Sequence, residues 1–265
     1  MINKAFAVGC DPEVFGKDIN GKPVSLIGLI GGTKERPRRA SVGWVQEDNV
    51  TAEFNIKPCT TATQFVDANK KMLEYISNVL KEKNLSIDIS PHAVFDKTEL
   101  AHPKALEIGC DPDYNVYTMR QNISETAVSL GDTRTASGHV HISWPYPDKD
   151  IKARACAVMY ADVYIGIPMV LIDPYLIRRN TYGKAGNFRP KPYGIEYRTP
   201  SNAWLRHEKY MKYIFEQAMT VAKLVYRLDT NFCIDPIIPK IINTADVDLA
   251  AKIMAKYNIP NIPSI

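Results

Sequence analysis

The stretch ASGHVHISW, residues 136–144, places two of the chain's five histidines one residue apart. Its alternation of polar and apolar residues predicts a β-strand, in which successive side chains point to opposite faces. His139, His141 and Ser143 then share one face, and Val140 and Ile142 take the other. Such a face suits a metal or phosphate site. Taken alone, it suits equally well a strand whose polar side meets water.

Three other strand-like segments repeat the pattern of polar residues two apart: Asp11-Pro12-Glu13, Glu53-Phe54-Asn55 and Glu196-Tyr197-Arg198. Each has an ordinary reading by itself. D-P-E is more often a strand end than a ligand, and E-Y-R is more often a surface ion pair worth little. Together they read differently. If the four segments are neighbours, their carboxylates and imidazole converge on one sheet face, where like charges repel by several kcal/mol at low effective dielectric. Divalent cations are the usual remedy: carboxylate oxygens suit Mg²⁺ or Mn²⁺, and a histidine favours Mn²⁺. A companion acid for Glu53 is either Glu47 or Asp48; spacing leaves both open. Asp111-Pro112-Asp113, which echoes the first acid pair, reads as structural.

A charge gap adds the complementary half. Between Pro174 and Ile195 there is no acid, while Arg178, Arg179, Lys184, Arg189 and Lys191 fall there and Arg198 follows. Guanidinium groups take phosphate oxygens while acids hold metal, which is what a metal–triphosphate site needs. No P-loop, H-E-x-x-H or G-x-S-x-G signature is present.

Composition narrows the class. With 33 Lys plus Arg against 29 Asp plus Glu, the net charge of +4 is too mild to argue for a nucleic-acid binder. Five scattered cysteines without a C-x-x-C pair read as reduced thiols in a cytoplasmic protein. MINKAFAVGCDPE meets an acid too early for a signal-peptide core. The most apolar run, VYIGIPMVLI at 163–172, is short and contains Pro168, so no membrane span is expected.

Elements follow from periodicity. AFAVGCDPEVF reads as one strand pairing with GKPVSLIGLI through a turn at Asn20-Gly21, and two more strands turn near Asp48-Asn49. Phe65, Met72, Ile76 and Leu80 fall at helical spacing in a helix closing at Asn84. A helix over about 151–172 bends at Pro168, residues 91–135 are irregular, and 174–192 is a loop. YGIEYRTP is a strand, and a long amphipathic helix spans Trp204 to about Leu228. Hairpin-like strands with helices between them predict an α+β fold, with a largely antiparallel curved sheet flanked by helices. One catalytic domain covers 1–265, with 230–265 as a peripheral tail and helix.

In order, GCDPEVF, AEFN, SGHVHIS and GIEYRTP resemble the active-site strands of glutamine synthetase and glutamate–cysteine ligase. The pattern, with the Y-G-x-x-G and R-x-K-x-Y-G-I-E-Y-R runs at 182–198, is similar to the phage-type carboxylate–amine ligase family, amidoligase type 2. That resemblance implies the glutamine synthetase catalytic fold and an ATP-dependent ligase that forms an amide through an acyl phosphate. It implies Asp11, Glu13, Glu53, His139 and Glu196 as ligands of Mg²⁺ or Mn²⁺, and Arg198 against the transferred phosphoryl group. Arg189, with Lys191 or Arg178, would hold phosphate or a substrate carboxylate, and Ser143 and His141 would line the nucleotide or substrate pocket. Asp11 stands where the family more usually has Glu, which shortens its reach. The implied partners are small-molecule or peptide carboxylates and amines. A phage origin would place the enzyme in host cytoplasm, and a homo-oligomer is open.

Rival readings are a guanidino-kinase-like phosphotransferase on the same fold, a metal-dependent hydrolase using the histidine pair, and a nucleic-acid contact by the basic segment. Few aromatic residues interleave the cations of that segment, which counts against the last.

Overall fold

Pro12 has no N–H to give to a ladder, and the chain changes sheets there. The structure, a computed structural model, describes residues 5–106, 113–122, 131–145, 151–227 and 235–265. The first apolar segment is two strands, β1 (Ala7–Cys10) and β2 (Glu13–Lys17), rather than the single strand its apolar content predicts. Then come β3 (Pro23–Val24), β4 (Arg38–Ala40), β5 (Gly43–Asp48), β6 (Thr51–Ile56), α1 (Ala62–Lys81), β7 (Ser86–Asp88) and β8 (His92–Val94). The short strands β9 (Tyr114–Asn115), β10 (Arg120–Gln121) and β11 (Thr133–Thr135) precede β12 (Val140–Ser143). After α2 (Ile151–Ala161), α3 (Ile167–Ile172) and α4 (Leu176–Thr181) come β13 (Asn187–Lys191) and β14 (Gly194–Tyr197). Helices α5 (Glu208–Tyr226), α6 (Ile237–Thr244) and α7 (Val247–Lys256) complete the described elements.

One sheet runs β1-β12-β14-β13-β9-β10, and a second runs β3-β2-β6-β5-β4 with β7 on β2. The pairings among these strands are antiparallel, so the α+β expectation holds. Register then fixes the site. His141 faces Gly9 on one side and Glu196 on the other, and Glu196 faces Arg189, so one row crosses four strands. In the second sheet Glu53 lies between Glu13 and Gln46.

Helix α1 forms where the apolar spacing predicts it, burying Phe65, Met72, Ile76 and Leu80. Thr61 caps it by accepting from Gln64 N, and Gln64 Oε1 accepts from Thr60 N in return. It ends at Lys81, and Asn84 beyond it takes a positive φ of 58°. Phe65 then packs against Trp204 and Phe215 at centroid distances of 5.7 Å, joining α1 to α5.

The run 151–172 is helical throughout, and the turn before Pro168 widens to a π-helix over Asp162–Gly166. At 22 residues it is longer than the apolar run picked out by sequence, and by length and composition alone it could cross a membrane. Its most apolar window is 67% buried inside the protein, which accounts for that apolarity. Within the π turn Asp162 is fully buried and accepts from Tyr117 Oη at 2.7 Å and Tyr197 Oη at 2.6 Å. Burial pushes its carboxyl up to about 6 in spite of both donors. Removing one donor leaves a buried carboxylate oxygen short of a partner. Tyr197→Phe is therefore expected to cost about 2 kcal/mol in urea unfolding; a loss below roughly 0.5 kcal/mol would show that Asp162 finds a replacement.

Two sequence readings need correction. The segment 174–192 is not a loop: α4 and β13 occupy it. Because Arg198 N donates to Asn187 O, the pairing with β14 leaves Pro190 N pointing away from that strand, and β9 reaches only Phe188. A proline is tolerated at such a position. Nor is the described C-terminal part a peripheral tail, since Ile238, Ile241 and Ile242 are fully buried in a cluster with Val163, Ile167 and Val170.

Candidate metal and phosphate site

Both sheets contribute to one cavity of about 340 Å³, and the chain switch at Pro12 brings them together. Pro12 O accepts from Phe54 N, and Glu13 N donates to Ser137 O, so the Asp11-Pro12-Glu13 link is tied to both halves. Its two acids consequently serve different groups. Asp11 joins His141 and Glu196, while Glu13 joins Asp48 and Glu53; within each group the potential ligand atoms lie within 4.8 Å of one another.

In the first group Asp11 Oδ1 is 3.1 Å from His141 Nε2 and 3.4 Å from His139 Nδ1, and His139 Nδ1 is 3.7 Å from Glu196 Oε1. Asp11 Oδ1, His139 Nε2 and His141 Nε2 are buried without a hydrogen-bond partner. In the second, Glu13 Oε2 accepts from Ser137 N at 2.7 Å and Glu53 Oε1 accepts from Gln46 Nε2 at 3.1 Å. The acid beside Glu53 is Asp48, which settles the open alternative. Glu47 instead turns to the N–H of Gly31, 2.9 Å away.

Three cations surround Glu196, which has no exposed surface. Arg189 Nη1 donates to its two oxygens at 2.8 and 3.0 Å, Lys191 Nζ is 2.8 Å from Oε2, and Arg198 Nη1 donates to Oε1. Arg198 Nε also donates to Asp113 Oδ2 at 3.0 Å. Asp113 thus orients an arginine, while Asp111 lies outside the described residues.

The electrostatics separate the two groups. Burial, then the charge of Asp48, pushes Glu13 up to about 7. Burial and the charges of Asp11, Asp48 and Glu13 hold Glu53 well above the ordinary carboxylate range, and burial raises Asp48. Arg178 and Arg198 near Glu13, and Lys34 and Arg198 near Asp48, favour the ionised forms but do not outweigh burial. Burial and Asp11 also favour a neutral Glu196, but His139, Arg198 and His141 outweigh them and hold it at about 2. Burial opposes the ionised form of Asp11, yet His141 and His139 keep it well below the usual range. Burial, then Arg198, pushes His139 down to about 4, leaving a neutral imidazole suited to metal.

Of the residues singled out by sequence, Asp11, Glu13, Glu53, His139, Arg189, Lys191 and Arg198 line the cavity, and Glu196 lies directly beneath the three cations. Three do not reach it. Arg178 is buried and donates from Nη1 to Thr199 O and from Nη2 to Arg198 O, so it shapes the strand that carries Arg198. Ser143 donates to Ala5 O at 3.3 Å, one step too far along β12. His141 sits behind Asp11, with Nδ1 2.8 Å from Tyr193 Oη. Sequence reasoning missed Lys34, Gln46 and Tyr182 in the lining, and Tyr193 behind it. Asp48 was named from sequence only as an alternative to Glu47, as an acid near the turn before Glu53.

The donor set fits divalent cations: clustered carboxylates, a neutral imidazole, and orphaned buried atoms on Asp11 and His139. Over residues 120–258, just over half of the chain, the sequence matches the family described as Phage phiEco32-like COOH.NH2 ligase-type 2. No curated protein matches the sequence. Among solved structures, those titled "Apo GmaS without ligand" and "GmaS/ADP complex-Conformation 1" align with TM-scores of 0.41 and 0.39 at 11% and 12% identity. Each alignment covers 95% of this chain and 68% of the other.

Proposed function

Since the chain belongs to the phage phiEco32-like COOH.NH2 ligase-type 2 family, we propose that it is an ATP-dependent carboxylate–amine ligase working through an acyl phosphate. The observation that supports this most is the meeting, in and directly behind one cavity, of two acid groups and three phosphate-compatible cations. Few tasks other than handling a polyphosphate need both.

Glu13, Asp48 and Glu53 would hold one Mg²⁺ or Mn²⁺, and Asp11, His139 and Glu196 another. Bound there, divalent cations supply positive charge against nucleotide oxygens. Arg198, Arg189 and Lys191 would contact the phosphoryl group in transfer, where charge spreads over its oxygens. A carboxylate oxygen of the first substrate attacks the terminal phosphorus of ATP, and ADP leaves. The amine nitrogen then attacks the acyl carbon, phosphate departs with the C–O bond pair, and the nitrogen loses a proton. Arg178, through the carbonyls of Arg198 and Thr199, and Asp113, through Arg198 Nε, hold that arginine in place.

The test is release of ADP and phosphate with Mg²⁺ or Mn²⁺ across pooled carboxylates and amines, with the amide identified by mass. Glu196→Gln is expected to lower turnover by about 10²–10³. Undiminished turnover in that variant would refute the site assignment. A phosphorylated guanidine without free phosphate would instead support the kinase reading, and metal-driven cleavage without nucleotide the hydrolase.

A further inference from the structure

Glu196 is in an unusual position for a metal ligand, because its oxygens are already surrounded by Arg189, Lys191 and Arg198. Those same cations face the cavity, whereas Glu196 has no exposed surface. We infer that Glu196 is an internal anion competing with the phosphates of the nucleotide for these side chains, so that a divalent cation must enter before a polyphosphate can bind well. The inference rests on the phosphate-binding reading given above and adds an order and a coupling to it.

The physical argument turns on where a displaced carboxylate can go. An anion taken up by the same Nη1 and Nζ groups draws them away from Glu196. A buried carboxylate deprived of its partners cannot turn to water, and removing one side of a buried pair leaves an uncompensated charge. A replacement positive charge is therefore needed beside Glu196. The structure supplies a place for it, since ligand atoms of Asp11 and His141 converge with one of Glu196 within 4.8 Å, and His139 Nδ1 lies 3.7 Å from Glu196 Oε1. A cation seated there takes over Glu196 and releases the arginines and lysine toward the cavity. By linkage the polyphosphate must tighten the cation in equal measure. Without the cation, the three side chains remain positioned near their working places but occupied.

Tripolyphosphate is the probe, titrated calorimetrically into full-length protein in EDTA. Glu196→Gln should bind it about tenfold more tightly than the wild type, within the range usual for coupled sites. Glu53→Gln, which removes an acid of the other group, is the control and should change that affinity less than about threefold. Equal affinity for wild type and Glu196→Gln, or equal tightening by both variants, overturns the inference, and amide formation remains observable in the wild type. Failure of every protein to bind tripolyphosphate or nucleotide, with or without Mg²⁺, overturns both the inference and the ligase reading. A second measurement needs no variant. Acylation of the Lys191 amine in wild-type protein, read by peptide mass spectrometry, should accelerate on adding Mg²⁺ and slow again when tripolyphosphate follows. A rate indifferent to Mg²⁺ counts against the idea.

Discussion

Asp48→Asn is expected to stabilise the metal-free protein while lowering turnover about a thousandfold, the larger end of what one electrostatic group contributes. Both effects come from the same triad. Glu13, Asp48 and Glu53 are held together, and burial, with repulsion from neighbouring acids, resists their ionisation more than the nearby cations favour it. The sign follows from Glu13. Its carboxyl sits at about 7 when folded against an ordinary value of 4.5, so between those limits the folded chain keeps a proton that the unfolded chain has lost. Glu13's contribution to metal-free stability is then greatest below the ordinary value and is lost as pH rises toward 7. Neutralising Asp48 relieves part of that cost, and the melting temperature at pH 8 should rise by about 3 °C. Adding Mg²⁺ or Mn²⁺ should raise the wild-type melting temperature and flatten its pH dependence, and should do less for the variant, which keeps only the other group of ligands intact. A variant that melts lower than the wild type in EDTA, or that responds to metal as the wild type does, would remove the triad from the cation's binding set.

Gly138→Ala should be strongly damaging, destabilising the protein by about 3 kcal/mol or more. A Cβ at Gly138 would come to 2.2 Å from Ser201 O and 2.4 Å from Trp204 Nε1. Neither can yield easily. Gly138 N donates to Pro200 O, and Trp204 Nε1 donates to Gly138 O at 3.0 Å, which locks this backbone against the indole. Trp204 is fully buried and stacks on Phe65, so a shift propagates into the α1–α5 contact. His139 follows directly in the chain and would move with it. Chemical denaturation measures the loss, and metal affinity measured on the fraction that folds should also fall. A variant within roughly 1 kcal/mol of the wild type would mean that the 200–204 segment retreats freely.

Much of the site was legible because strand periodicity is rigid. The alternation in His139-Val140-His141 and Glu196-Tyr197-Arg198 specifies which side chains share a face, and antiparallel pairing then sets His141 opposite Glu196. What sequence could not settle depended on register or on partners distant in the chain. Glu47 and Asp48 are adjacent, and only the pairing of β5 with β6, which puts Gln46 opposite Glu53 and Asp48 opposite Thr51, chooses between them. Arg178 belongs by composition to a phosphate-binding run, yet backbone carbonyls of Arg198 and Thr199 take its donors. Ser143 keeps the right face of its strand but lies too far along it, opposite Ala7 and Gly194. Pro12 is compatible with extended chain on either side of it, but its missing donor marks the exchange between sheets. The burial of the C-terminal part escaped because its apolar partners, Val163, Ile167 and Val170, lie some seventy residues upstream.

That exchange at Pro12 makes the separation of the two acid groups a covalent quantity. Asp11 and Glu13 are neighbours but one, and two residues of extended chain reach no more than about 7 Å. Relative breathing of the sheets can tilt this tripeptide but cannot lengthen it. The backbone thus acts as a gauge bar, limiting how far apart the Cα atoms that carry the two carboxylates can move.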